Sequence, residues 1–254
     1  MTVPTRRGAT FDEEMLIADA ELSRRFQIFS AWCGVAFVIL LFGGWGIMGG
    51  FIPLISAADS PAEIAAALAQ NPVLHKVGLS LGMVGITLTL PFYLVISVQM
   101  RRAEPGQPLM SALQMICGII ITAVLLIPML IFIVTAFRPE RSPELSQMLN
   151  DMSYIMLILP WPPIIGQIAA IVITTLRRRP AVQVFPRWVG FFTLWVGVLL
   201  LPANMIIFFR DGLMAWTGLI GFWIPAAAFG IWYPVMTWAL LRAIRQQYGS
   251  GVSV

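Results

Sequence analysis

Few residues of this chain have the types needed for chemistry, and one stretch gathers most of them. Asn150-Asp151-Met152-Ser153-Tyr154 places an amide, an acid, a hydroxyl and a phenol at the head of an apolar segment. Leu159-Pro160-Trp161-Pro162-Pro163 then interrupts that segment, and Gln167 follows. An acid at the edge of an apolar pocket suits proton transfer to a hydrocarbon-like substrate, as a cyclase or isomerase needs. An amide and an indole beside a broken helix suit instead the holding of a small apolar or amphipathic molecule. Asp151, Tyr154, Trp161 and Gln167 are therefore candidate ligand-binding residues, joined by Asn204 and Trp223 further along.

Other chemistries find little footing. The single histidine, His75, stands beside Lys76, and the two cysteines, Cys33 and Cys117, fall in separate apolar blocks as small packing residues. A zinc site or a bis-histidine haem needs more ligands. There is no Walker-type phosphate loop and no Cys-x-x-Cys pair. A serine-hydrolase elbow needs a strand-to-helix turn that no stretch offers. No cofactor, metal or catalytic residue is assigned, and an ATPase, a serine hydrolase or a thiol redox enzyme is not expected.

The elements that must position these residues follow from composition. Of 254 residues, 59% are hydrophobic and 11% charged, against about 25% charged in soluble domains. The mean hydropathy is +0.85, and the apolar residues come in unbroken blocks long enough to cross a bilayer, which takes about 20 residues of helix. A membrane β-barrel would alternate instead. The expected fold is all-α: a polytopic bundle of six spans in one membrane domain over residues 1–254. Its parts are a segment 1–25, a bundle 26–241 and a tail 242–254. The partner this implies is the lipid bilayer; no basic run interleaved with aromatics points to nucleic acid.

In chain order, Thr10-Phe11-Asp12-Glu13 has capping-box spacing. It starts an interfacial helix whose stripe is Phe11, Met15, Leu22 and Phe26. Span 1 is expected at 26–49 and span 2 at 76–99. Gly43, Gly44, Gly46, Gly49 and Gly50 face Gly78, Ser80, Gly82 and Gly85 at one end, so these two spans should pack closely there. Asp59-Ser60-Pro61-Ala62-Glu63 predicts a short helix over 61–70. Span 3 is expected at 109–137, span 4 from about Asp151 to Leu176, span 5 at 188–209 and span 6 from the Arg210-Asp211-Gly212 turn to about Leu241.

Charge sets the orientation. Arg6, Arg7, Arg24, Arg25, Arg101 and Arg102 lie on one side, together with Arg177, Arg178, Arg179, Arg187, Arg242 and Arg245. Only Lys76, Arg138, Arg141 and Arg210 lie on the other. That bias places the first side, with both termini, in the cytoplasm. An uncleaved first span and fifteen arginines to one lysine fit a bacterial plasma membrane. None of the twelve acids falls at mid-bilayer, which argues against an ion-coupled pump.

Within the spans remain prolines, tryptophans and uncharged polar groups. Pro91, Pro128, Pro160, Pro202 and Pro225 fall one in each of spans 2 to 6. Three of them lie at one depth, roughly 12–15 Å from the outer boundary at about 1.5 Å per residue, and should splay an outward-facing cavity walled by Pro160-Trp161-Pro162-Pro163. Asn204 should bond a carbonyl freed by proline. Asn150-Asp151 should form an external helix entrance. Trp188, Trp216 and Trp238 should form an interfacial belt, with Trp161, Trp195, Trp223 and Trp232 deeper.

Pro160-Trp161-Pro162-Pro163, Phe185-Pro186-Arg187-Trp188-Val189-Gly190, Leu201-Pro202-Ala203 and Phe222-Trp223-Ile224-Pro225 together resemble uncharacterised six-span integral membrane proteins of actinobacteria. The resemblance implies the six-span fold and no activity. The functional expectation is a non-enzymatic binder, or facilitator of passage, for a lipid-, sterol- or terpenoid-like molecule. The alternatives are an accessory subunit, associating with a membrane partner or another copy through its glycine faces and N-terminal helix, and a membrane-embedded cyclase or isomerase using Asp151.

Overall fold

The computed structural model describes residues 11–159 and 162–249, and among them the chain forms helices and loops with no strand. Six helical segments are long and apolar enough to cross a membrane: Ala18–Met48, Pro72–Arg101, Leu109–Phe137, Pro143–Leu176, Arg187–Ile207 and Leu219–Gly249. They are spans 1 to 6 of a multi-pass integral membrane protein. The capping box at Thr10, and Pro160 with Trp161, lie outside the described residues.

Span 1 is α1 (Phe11–Val38) continued without a break by a π-helical stretch, Ile39–Met48. The separate interfacial helix expected before it is therefore the first part of one rod. Met15, Leu22 and Phe26 are exposed along it instead of packed. Next comes α2 (Pro61–Ala69), where Ser60 and Glu63 close a capping box as their spacing required. The Ser60 amide donates to Glu63 at 2.8 Å, and Ile64 and Leu68 are buried as α2 packs on span 4.

Span 2 divides into α3 (Pro72–Thr87) and α4 (Thr89–Arg101), with Pro91 in the first turn of α4. Span 3 is one helix, α5 (Leu109–Phe137), with Pro128 inside it. Span 4 is α6 (Pro143–Ile158) and α7 (Pro162–Leu176). It starts about two turns before the expected Asp151, because Ser142 caps it and Pro143 fills its first position. That start signal outranks the polar character of the turns that follow. Span 5 is α8 (Arg187–Leu200) followed by a 3-10 stretch, Leu201–Ile207. Span 6 begins with a π-helical stretch, Leu219–Trp223, and continues as α9 (Ile224–Gly249). It starts later than expected because residues 208–218 fold into a compact loop. It also ends later, taking up most of the expected polar tail.

Two ends bracket the bundle. At the arginine-rich end, Gln99 of α4 donates to Gln27 of α1 at 2.6 Å and to Gln247 of α9 at 2.8 Å. Gln27 in turn donates to the Tyr248 hydroxyl at 3.0 Å, and the Ala181 amide donates to the Ala103 carbonyl. Helices α1, α4 and α9 and both loops at this end are thereby tied together. Glu104 completes the layer. The N-terminus of α5 follows Pro108, which offers no side-chain cap, so Glu104 folds back to accept from the Met110 amide at 2.9 Å and the Ser111 amide at 3.1 Å. The Ser111 hydroxyl adds a third bond at 2.6 Å. Burial alone would push the Glu104 carboxyl up, but these bonds outweigh it and hold the carboxyl below its ordinary value of 4.5.

At the opposite end spans 1 and 2 meet through their glycines, as their spacing required. A Cβ on Gly78 would stand 2.5 Å from the Gly44 carbonyl oxygen and against the Gly49 backbone. On Gly85 it would stand 2.8 Å from Leu40. Most of the glycine stripe is thus taken up inside the chain, with Gly43 left open. Gly78-Leu79-Ser80-Leu81-Gly82 has the spacing of a nucleophile elbow, but it is continuous helix, and the Ser80 hydroxyl donates to the Lys76 carbonyl at 2.8 Å.

Gly78→Ala should destabilise the bundle by about 1–3 kcal/mol, as overpacking does, read as a lower Tm in detergent. The Glu104 contribution should be present in full above the ordinary carboxylate pKa and fade as pH falls through its lowered folded value. Glu104→Ala should cost about 1 kcal/mol at neutral pH and flatten that acid-side loss, measured by thermal unfolding between about pH 3 and 7.

Candidate functional site

A cavity of about 100 Å³, open on one side, lies between spans 1, 3, 4, 5 and 6. Span 1 contributes Leu41, Phe42 and Trp45 from its π-helical stretch, and span 3 contributes Leu125, three residues before Pro128. Leu157 and Ile158 line it from the last turn of α6, and Ile164 from the first turn of α7. Span 5 adds Leu200 and Ala203, and span 6 adds Phe222, Pro225, Ala226 and Phe229. Every one of these side chains is apolar except for the indole N–H of Trp45. The walls come from the places where the spans leave regular α-geometry. π-Helical stretches and 3-10 turns change the helical phase and spread neighbouring helices.

Behind the cavity is a much smaller chamber of about 10 Å³, room for one water-sized group, which shares Ile164, Leu200 and Phe229 with it. The chamber carries the polar groups that the cavity lacks. Gln167 lines it and is only 3% exposed, and its Nε2 has no hydrogen-bond partner among the described residues. Tyr93 and Tyr233 line it with their hydroxyls 2.6 Å apart. Trp232 lines it too, its indole N–H donating to the Thr193 hydroxyl at 3.2 Å. No charged side chain belongs to either lining.

Of the five described residues expected at the site, Gln167 falls in this system. Asn204 and Trp223 miss the cavity by one position each, since Ala203 and Phe222 face it. A shift of one residue rotates a helical side chain by about 100°, and regular phase cannot be extrapolated through 3-10 or π turns. Trp223 is 38% exposed. Asn204 donates to the Leu201 carbonyl at 2.8 Å, inside its own 3-10 turn. The Val198 carbonyl, which Pro202 leaves without its α-helical donor, accepts from the Leu201 amide instead. Trp161 lies outside the described residues, between cavity-lining Ile158 and Ile164.

Tyr154 and Asp151 belong to the other end. Tyr154 is fully buried, stacked on Trp216 at 5.4 Å between ring centroids and edge-on to Phe132 at 5.2 Å. The aromatic column continues through Phe51, 4.6 Å from Phe132, to Trp45 and His75. His75 and Trp216, both expected at an interface, are buried in or against this column at 5% and 4% exposure. The Trp216 indole donates to the Ile55 carbonyl at 2.8 Å, pinning loop 208–218 to the loop after span 1. Asn150 is fully buried one turn from Tyr154, with both amide atoms unpartnered among the described residues, and Asp151 is half-buried. The expected entrance is therefore a packed third turn of α6, covered by α2. Trp188 and Trp238 stay exposed as a pair 5.4 Å apart, and Trp195 faces outward at 64% exposure. Among the described residues no three His, Cys, Asp or Glu converge on a metal position.

The cavity walls eluded sequence reading for a physical reason: Leu41, Leu125, Leu200 and Phe229 look like any other apolar residue of a span. Only the glycines around Trp45 and the prolines at 202 and 225 mark the neighbourhood. No family model, no curated protein and no solved structure matches the chain.

Trp216→Phe keeps the ring stack on Tyr154 and removes the bond to Ile55. It should cost about 1–3 kcal/mol, the price of an unmet buried carbonyl, and speed proteolytic cleavage in residues 208–218 at fixed temperature.

Proposed function

We propose that this integral membrane protein is a non-enzymatic binder, or facilitator of passage, for a small apolar or amphipathic molecule of lipid, sterol or terpenoid type. One observation carries the reading. An apolar cavity of about 100 Å³ is open at one side and adjoins a chamber that holds a few polar groups. Binding sites for small molecules are mostly apolar concavities with few, well-placed polar groups. Apolar walls that do not close on one another lose the contacts they would make across the gap. An apolar occupant offsets that cost.

For the cyclase or isomerase alternative, Asp151 is not among the residues that line the cavity. For the accessory-subunit alternative, Gly44, Gly78 and Gly85 are already taken up by contact between spans 1 and 2, while Gly43 stays open.

Native mass spectrometry of the full chain, extracted in mild detergent, should detect a retained apolar molecule. Ala203→Phe should lower its occupancy severalfold by filling the cavity, whereas Asn204→Leu, whose side chain lies outside the lining, should leave it unchanged. No bound mass, or equal occupancy in the wild type and Ala203→Phe, would overturn the reading.

A further inference from the structure

The chamber behind the cavity has more hydrogen-bond donors than it can use. Gln167 is 97% removed from solvent by its 3% exposure, and its Nε2 carries two N–H groups without an acceptor among the described residues. Tyr93 and Tyr233 share one proton across 2.6 Å, so a second phenol proton remains, and no other bond of either hydroxyl is formed among the described residues. The Trp232 indole is already spent on Thr193. Unpaired donors in a membrane interior are costly, because no bulk water reaches them. The groups therefore stand ready for an acceptor that enters from the cavity, through the wall shared at Ile164, Leu200 and Phe229.

We infer that the Gln167 amide and the Tyr93–Tyr233 pair recognise a neutral oxygen, a carbonyl or a hydroxyl, at the leading end of a long apolar molecule whose body fills the cavity. This deepens the proposed binding function and rests on it. An anionic head is disfavoured, because no cation lines the chamber to offset its desolvation. A cationic head is disfavoured for the same reason with the sign reversed, since no carboxylate lines it either. A hydrocarbon without oxygen fits the cavity and leaves the donors unmet. Preference for the oxygenated molecule is thus the signature of the chamber, and bare binding is the signature of the cavity.

The test uses the purified full chain and tritiated farnesol, a 15-carbon alcohol, with three unlabelled competitors: its aldehyde farnesal, its hydrocarbon counterpart farnesene, and farnesoate. In the wild type, farnesol and farnesal should compete about fivefold to tenfold better than farnesene, the worth of one net hydrogen bond, and farnesoate should be the weakest. Gln167→Met keeps the side-chain volume and should erase the preference while farnesene binding persists. Removing an unpartnered amide should leave the Tm of the empty protein unchanged or raised, whereas a lowered Tm would assign Gln167 to helix packing and overturn the inference. Equal competition by farnesol and farnesene in the wild type would overturn it while leaving the cavity reading intact. Failure of all four molecules to bind would overturn both.

Discussion

Backbone hydrogen bonding in hydrocarbon is the constraint on which this molecule turns. A span can leave α-geometry only where every peptide group it disturbs finds another partner, since lipid offers none. The chain carries proline in five of its six spans, and local changes of helix type keep backbone groups bonded at two places among the described residues. At Pro202 the helix tightens, and the Val198 carbonyl accepts from Leu201. At the end of span 1 it widens, and the Gly49 amide reaches back five residues to the Gly44 carbonyl at 2.7 Å. Each repair keeps the span continuous and shifts its phase. The cavity is lined in part from the irregular stretches of spans 1, 5 and 6.

The rest of the structure holds that opening in shape. At the arginine-rich end, a layer of Gln27, Gln99, Gln247 and Tyr248 locks three helices, and Glu104 caps a fourth. At the other end, glycine-to-backbone contact joins spans 1 and 2, and the aromatic column from Trp45 to Trp216 fastens both loops. Between two tight ends, the irregular middle can remain open without loosening the fold. The absence of charge from the cavity follows from the same economy. Polar groups appear only in the deeper chamber, where three helices converge on the tyrosine pair and Gln167.

The six spans, the short helix at Pro61 and the close packing of spans 1 and 2 were legible because each has a strong local cause: long apolar runs, a Ser-Pro-x-Glu start, glycines at helical spacing. Helix starts at Pro143 and Leu219 were less legible. At Pro143 a capping signal competed with a polar stretch, and before Leu219 a compact loop looked like membrane helix by hydropathy alone. The site was mostly illegible. Gln167 stood out as a buried amide in an apolar run, yet Asn204 and Trp223 stood out equally and face elsewhere. What separates them is helical phase beyond a proline, set by how the backbone repairs itself and by which neighbours accept it. Tyr154 was conspicuous for its chemistry but serves packing, because the column around it leaves no room for a ligand.

The central claim is that the irregular middle of spans 1, 4, 5 and 6 encloses a real, occupied cavity. A cryo-electron microscopy map of the full chain in lipid nanodiscs tests it most directly. The account predicts an elongated non-protein density bounded by Leu41, Leu200, Phe222 and Phe229, with its inner end directed at Gln167. Side chains that meet across that space, leaving no volume for such a density, would contradict it.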